Sequence, residues 1–307
     1  MIRFHLVQTS NKKLPLLKTT IPGKKGLQPR PRIKLLFLLP AAIWVLAWTV
    51  FPFFYGLYIS FFQIDFGSED RFIGLGNYYR FFSDDNALNA VEVTFLFVIG
   101  SVAVQVILGL LLALMANRPS TTRGLVRTLL ILPLFATPVA VGFLFFTIFY
   151  EEGGLINGLL GIKIPWLSSP GYALSAVIIA DTWQWTSFCF LILLAGLQSI
   201  PDEVYEAASL ETQNRRKIFW HITLPYLQPT LVLAILLRIT EAFKVFPIPY
   251  TLTRGGPGNS TLVMPMYAHR AGMRYFDFGY SSAISFMTFI LVMIFIIFLF
   301  RSIRQAY

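Results

Sequence analysis

Apolar residues in this chain come in long blocks, and block length sets the class. Runs free of charged residues extend from Leu35 to Ile64, Val93 to Asn117, Thr128 to Tyr150 and Phe278 to Phe300. A helix needs about 20 mostly apolar residues to cross a bilayer, so each run is long enough. Two further blocks carry charge: Tyr172 to Leu197 contains Asp181, and Leu227 to Tyr250 contains Arg238, Glu241 and Lys244. The pattern predicts an all-α integral membrane protein with six transmembrane helices, near residues 35–62, 93–117, 128–150, 172–197, 227–250 and 278–300. Pro133, Pro138, Pro225, Pro229, Pro247 and Pro249 fall inside or beside these spans. Inside a span, proline kinks the helix and frees carbonyls that neighbouring helices or a cavity must satisfy. Trp44, Trp48, Tyr78, Tyr79, Trp166, Tyr275 and Phe276 sit near predicted ends, where aromatic belts form.

Composition agrees: 56% of residues are hydrophobic and 13% charged, with a mean hydropathy of +0.65, where a soluble domain carries roughly 25% charged residues. The net charge of +10 does not point to nucleic acid once its distribution is read. Arg3, Lys12, Lys13, Lys18, Lys24, Lys25, Arg30, Arg32 and Lys34 form a basic tail over residues 1–34, ahead of a transmembrane domain over 35–305. The first apolar block is too long for a signal-peptide core. Positive residues prefer the cytoplasmic side. With the N-terminus inside, the tail, Arg118, Arg123, Arg127, Arg215, Arg216, Lys217, Arg301 and Arg304 all fall on inner segments. The outer segments hold fewer: Arg71, Arg80, Lys163, Arg254, Arg270 and Arg274. Both termini are therefore expected in the cytoplasm. The lone Cys189 has no intrachain disulfide partner and reads as a small packed side chain.

The connection between spans four and five, residues 198–226, is far longer than the usual helix–helix loop. Pro201 suits a first helical turn, and Asp202 and Glu203 suit the positive end of that helix. Ala207 and Ala208 allow another surface to approach closely. A break near Thr212 to Asn214 precedes a basic amphipathic segment expected to stop before Pro225. This predicts helix, turn and second helix on the cytoplasmic face; a solvated connector would show the same features.

Glu206-Ala207-Ala208, Glu211 and Ile222-Thr223-Leu224-Pro225 resemble the EAA motif of binding-protein-dependent ABC importer permeases. The stretches Phe72–Tyr78 and Leu252–Thr261 are similar to outer loops of the sugar permeases, and Phe278–Ala283 to the start of their last span. The resemblance covers residues from about 35 to 305 and points to the carbohydrate branch, the first permease of the maltose, glycerol-phosphate or trehalose type. It implies a permease subunit in a prokaryotic inner membrane that moves a sugar or oligosaccharide into the cytoplasm, handed over by an extracytoplasmic solute-binding protein. Its implied partners are a second permease and two ATPase subunits, which hold the ATP and Mg. By resemblance, Glu206, Ala207, Ala208, Glu211, Thr212, Leu224 and Pro225 couple to the ATPase, while Gly74, Asn77, Gly255, Gly256 and Asn259 meet the binding protein. The family usually has Gly where this chain has Thr212, and often Asp where it has Pro247, so the turn at Thr212 departs from the family's.

No phosphate-binding G-x-x-x-x-G-K-[ST] loop is present, so the chain itself is not expected to hydrolyse ATP, hold a cofactor or act as an enzyme. His5, His221 and His269 lack metal-ligand spacing. An ion-gradient-driven secondary transporter is the alternative, but such proteins usually show internal repeats with broken helices, and no convincing repeat relates the two halves. A charge at mid-span usually faces a partner or a cavity. At about 1.5 Å per residue, Asp181 falls roughly 14 Å below the outer end of its span, and Arg238, Glu241 and Lys244 roughly 18, 14 and 9 Å below theirs. These four, with Trp183, Gln184 and Trp185, are the candidate substrate pathway; a structural ion-pair network is the competing reading.

Overall fold

A computed structural model describes residues 31–67, 69–117 and 123–304. The expected basic tail up to residue 30, and Arg118, lie outside them. The chain separates at Pro52 into a leading unit and a larger unit from Phe53 onward. The leading unit holds α1 (Pro31–Val45) and a wide helical turn, Leu46–Val50. Its Trp44 and Trp48 rings lie 5.8 Å apart. Together with α2 (Phe51–Ile59), the stretch Leu38–Ile59 is long and apolar enough to cross a membrane.

The larger unit follows with a two-stranded antiparallel ribbon, β1 (Phe62–Gln63) and β2 (Arg71–Phe72), then α3 (Gly76–Ser83) and α4 (Asp85–Ala116). Next come α5 (Arg123–Ile131), α6 (Pro138–Ile148), α7 (Leu155–Leu160) and α8 (Pro170–Gln198). After them run α9 (Asp202–Glu211), α10 (Arg215–Ile218) and α11 (Leu224–Ala242). The chain then forms α12 (Pro247–Leu252), α13 (Met264–His269) and α14 (Phe278–Arg304). Among the described residues, five helical stretches are long and apolar enough to span a membrane, and the count is six if α5 and α6, bent by 98° at their break, are one span.

That bend replaces the straight span expected near 128–150, and its cause is local. Pro133 and Pro138 remove two amide donors, and Ala136 and Thr137 take extended backbone angles. The Thr137 hydroxyl caps α6 at Ala140 N, and the carbonyl of Ala136 accepts a 2.6 Å bond from Gln184 Nε2 on α8. A neighbouring helix thus satisfies a backbone group freed at the break, as an apolar surrounding demands. The fifth span also differs from the expected 227–250. Its helical stretch runs from Arg215 to Ala242, and a separate helix starts at Pro247 because the residue before a proline is driven out of the helical region. The basic segment does not stop before Pro225: α10 continues through a wide turn at Phe219–Thr223 into α11, whose first turn tolerates proline.

Helices α4 and α8 run parallel and pack closely along a glycine-lined seam. Gly100 lies against Ile178 and Gly109 against Cys189. A methyl on Gly109 would stand 2.6 Å from Cys189 Cβ and 3.0 Å from the Phe190 nitrogen. Small residues allow this approach, since lipid tails supply no hydrophobic drive between helices. Helix α11 is antiparallel to α8, with Gly196 against Leu227 and Thr230. Phe97, Val98, Ala176, Val177, Ala180, Ile239 and Ala242 fill the core between them. At the end of the bundle where α4 and α8 finish, Arg127 donates to the Ala116 carbonyl, a cation at a helix C-terminus.

Replacing Gly109 by Ala is expected to cost about 1–3 kcal/mol, because the added methyl meets backbone that has no room to move. Gly124→Ala, whose methyl would meet nothing within 4 Å, should be neutral or slightly stabilising. Thermal unfolding of the two variants in detergent checks the contrast.

Candidate functional site

The charged residues of the spans separate into two pairs with different surroundings. Asp181 on α8 and Arg238 on α11 are buried together, with side chains 2% and 1% exposed and Arg238 Nη2 3.3 Å from Asp181 Oδ2. Gln105 on α4 closes the triangle: its Nε2 donates to Asp181 Oδ2 and its Oε1 accepts from Arg238 Nε, both at 2.7 Å. The Arg238 guanidinium also lies 4.5 Å from the ring centre of Trp185, a cation–π contact. Arg238 Nη1 has no hydrogen-bond partner among the described residues. The sequence offered a signal for Gln105, an amide in an otherwise apolar run, but reading charge alone passed over it.

Glu241 and Lys244 do not join this triangle. They pair with each other at 2.7 Å, Glu241 in the last turn of α11 and Lys244 just beyond its end, and both are exposed. Trp183 also points away from Asp181, packing its exposed ring 5.8 Å from Phe145, and Gln184 is the brace at the α5–α6 bend. The exposed face of α11 therefore changes character along its length. Leu233 and Leu237 give way to Glu241, Lys244 and, on α12, Tyr250.

At this end, polar contacts tie the connections down. Asp84 caps α4 at Asn86 N and accepts from the hydroxyls of Tyr267 and Tyr280. Burial pushes its pKa up, but the two hydroxyls and the amides of Asn86 and Ala87 outweigh that, so the net shift is down. Arg80 pairs with Asp277 at 2.6 Å. Of the residues assigned to binding-protein contact, Asn77 is buried and donates to the carbonyls of Ser60 and Phe62. Asn259 links Asn86, Asn89 and Arg270. Gly74 and Gly255 hold left-handed turns that favour glycine, Gly255 is buried, and Gly256 is half-buried. The exposed groups here are Phe72, Leu75 and Tyr79. Glu151 binds the amides of Leu167 and Ser168 beside a cleft of about 620 Å³.

At the opposite end, α9 and α10 form the helix–turn–helix expected over 198–226. Asp202 and Glu203 occupy the first turn of α9, and Ala208 is buried while Glu206, Ala207 and Glu211 are exposed. Thr212 has φ −155°, an extended backbone that needs no glycine, and its hydroxyl accepts from Asn214 N. Asn214 in turn caps Arg216 N. The Tyr205 hydroxyl donates to Thr223, joining α9 to the wide turn below α11, where Leu224 is half-buried and Pro225 exposed. Leu210, which the sequence reading did not single out, is 90% exposed on α9.

Residues 105–306 match the family described as binding-protein-dependent transport system inner membrane component. This chain belongs to that family. It is 37% identical over 272 residues to the sulfoquinovosyl glycerol transport system permease protein SmoG of Agrobacterium fabrum, covering 85% of this chain and 87% of that one. It is 38% identical over 271 residues to the trehalose/maltose transport system permease protein MalF of Thermococcus litoralis, covering 85% and 90%. The fold matches a chain of a bacterial ABC transporter involved in import of the acidic polysaccharide alginate, with a TM-score of 0.78 over 89% of this chain and 96% of that one, at 23% identity. As an inner membrane component the chain is a multi-pass protein and a permease subunit of an importer.

Two tests follow from the geometry. Arg238→Ala leaves Asp181 buried without its cation and is expected to cost about 3–5 kcal/mol, whereas Lys244→Ala breaks an exposed pair and should cost about 1 kcal/mol or less. The Asp181→Leu, Arg238→Met double variant should unfold at a higher temperature than Arg238→Ala. For Asp84 the folded pKa is depressed, so its contribution is fully present above the unfolded value of about 3.9 and is lost as pH falls through the folded one. Between pH 6 and 3 the melting temperature of the wild type should therefore fall further than that of Asp84→Asn.

Proposed function

We propose that this chain is the first permease of a carbohydrate importer, with both termini in the cytoplasm. It pairs with a second permease and two ATP-hydrolysing subunits and receives a sugar or oligosaccharide from an extracytoplasmic binding protein. The observation that carries the reading is the exposed Glu241–Lys244 pair at the end of α11, one of the helices long enough to span. Charged side chains bordering a span are too costly against lipid and face water or another subunit. The relatives named for trehalose/maltose and for lactose transport support a carbohydrate cargo. Glu241, Lys244 and Trp183 then face the pathway, while Asp181, Arg238, Gln184 and Trp185 hold its wall from behind. The exposed Phe72, Leu75 and Tyr79, with Gly74, Gly256 and Asn259 shaping the turns, form the binding-protein face. Helix α9 presents Glu206, Ala207, Leu210 and Glu211 to the ATPase, with Thr212, Leu224 and Pro225 connecting it to α11.

Glu206→Lys and Ala207→Trp test the last assignment. A reversed charge or an added indole at a packed interface costs about 2 kcal/mol or more, so sugar uptake should fall at least about tenfold. Insertion of the chain and its association with the second permease should persist. Normal uptake by either variant in an assembled complex places the ATPase contact elsewhere.

A further inference from the structure

Three rings meet where α11 gives way to α12 and α13. Phe246 and Tyr250 are stacked, with centroids 5.0 Å apart and planes 18° apart. His269 stands 5.0 Å from Phe246 and 5.6 Å from Tyr250, tilted to both. Their burial is uneven: Phe246 is half-buried against the core, Tyr250 is 43% exposed, and His269 is exposed. Apolar packing explains Phe246. It does not explain why two amphipathic rings stand at the open side of the same cluster. Neither the Tyr250 hydroxyl nor a ring nitrogen of His269 makes a hydrogen bond among the described residues, so both polar tips are open to a ligand.

We propose that Phe246, Tyr250 and His269 form a stacking site for a pyranose ring at the mouth of the pathway, with the Tyr250 hydroxyl and the His269 ring nitrogens reading its hydroxyls. A sugar ring has an apolar C–H face and a rim of hydroxyls. It calls for an aromatic surface beside free donors and acceptors, and this strip supplies both. The stacked Phe246 fixes the Tyr250 ring, so little side-chain freedom is lost on binding. The proline start of α12 is what turns this strip. Phe246 leaves the helical region ahead of Pro247, beyond the end of α11 at Ala242, and α12 starts anew and carries Tyr250 back over Phe246. The site rests on the carbohydrate-permease reading and extends it by naming the residues that hold the ring.

The test uses the whole transporter in proteoliposomes, with its binding protein and with trehalose, maltose or lactose as probe. The readout is sugar moved per ATP hydrolysed. Tyr250→Leu keeps apolar bulk but removes the ring, and His269→Ala removes the second ring. Each should lower the ratio about tenfold, the equivalent of about 1.4 kcal/mol, with ATP hydrolysis within about twofold of wild type. Tyr250→Phe, which keeps the ring, should lie between them and wild type. An unchanged ratio in both Tyr250→Leu and His269→Ala overturns the site, whether uptake is normal or falls together with hydrolysis. Failure of the wild-type transporter to move any of the three sugars overturns the carbohydrate reading itself, and the site with it.

Discussion

The carboxylate of Asp181 and the guanidinium of Arg238 lie in an apolar bundle because each is held by the other and both by Gln105. Desolvating either alone costs several kcal/mol, so the pair fixes more than its own position. It requires α4, α8 and α11 to sit at one register. A slip of one residue rotates a helix by about 100° and turns a partner out of reach. The glycines of the α4–α8 seam allow the approach that this geometry needs. Register then decides everything else on these helices. Arg238 and Glu241, about 60° apart on α11, fall on either side of the boundary between its buried and exposed faces, and with Asp181 turned inward, Gln184 reaches the freed carbonyl at the α5–α6 bend.

The two ends of the bundle are built differently. At the end bearing α3, α12 and α13, the connections are fastened by side-chain contacts: Asp84 to two tyrosines, Arg80 to Asp277, Asn77 to two carbonyls. At the other end, α9 hangs from the bundle by its own chain, by buried Ala208 and by the Tyr205–Thr223 bond. Its mechanical route inward is continuous, since the helical stretch Arg215–Ala242 carries Arg238 near its far end. On the proposed reading, a displacement of α9 by the ATPase reaches the buried triangle through one helix rather than through a series of loops. The wide turn at Phe219–Thr223 is the natural place for that helix to flex.

Block length made the fold class legible, and proline and acidic residues marked the start of α9 correctly. Helix ends were less legible because they depend on tertiary partners. The straight span over 128–150 failed since nothing in the sequence says that Gln184 waits to satisfy Ala136. The fifth span was extended to Tyr250 because Pro247 was weighed as a kink rather than as the start of a new helix. In the site, charge found Asp181 and Arg238, but depth alone could not say which acid faces which base. Depth grouped the four charges together, and helical phase does not part them, because residues three apart differ by only about 60° round the helix; tertiary contacts do, with Arg238 met by Asp181 and Gln105 while Glu241 pairs with Lys244. Asn77 was readable as part of a loop signature, but its inward turn toward Ser60 and Phe62 was not.

On the proposed reading, the division of the charges favours a neutral cargo. Counting all four as pathway groups gives zero net charge, but two of them are spent on each other inside the wall. What remains exposed is Glu241 with Lys244, again neutral. An anionic cargo would meet Glu241 as closely as Lys244, and the two contributions would oppose each other. A polyhydroxyl ring can donate to the carboxylate and accept from the ammonium at once, so both members of the pair favour it. The preference thus follows from the register set by the buried pair, which keeps one charge of each sign away from the cargo and leaves one of each sign to meet it.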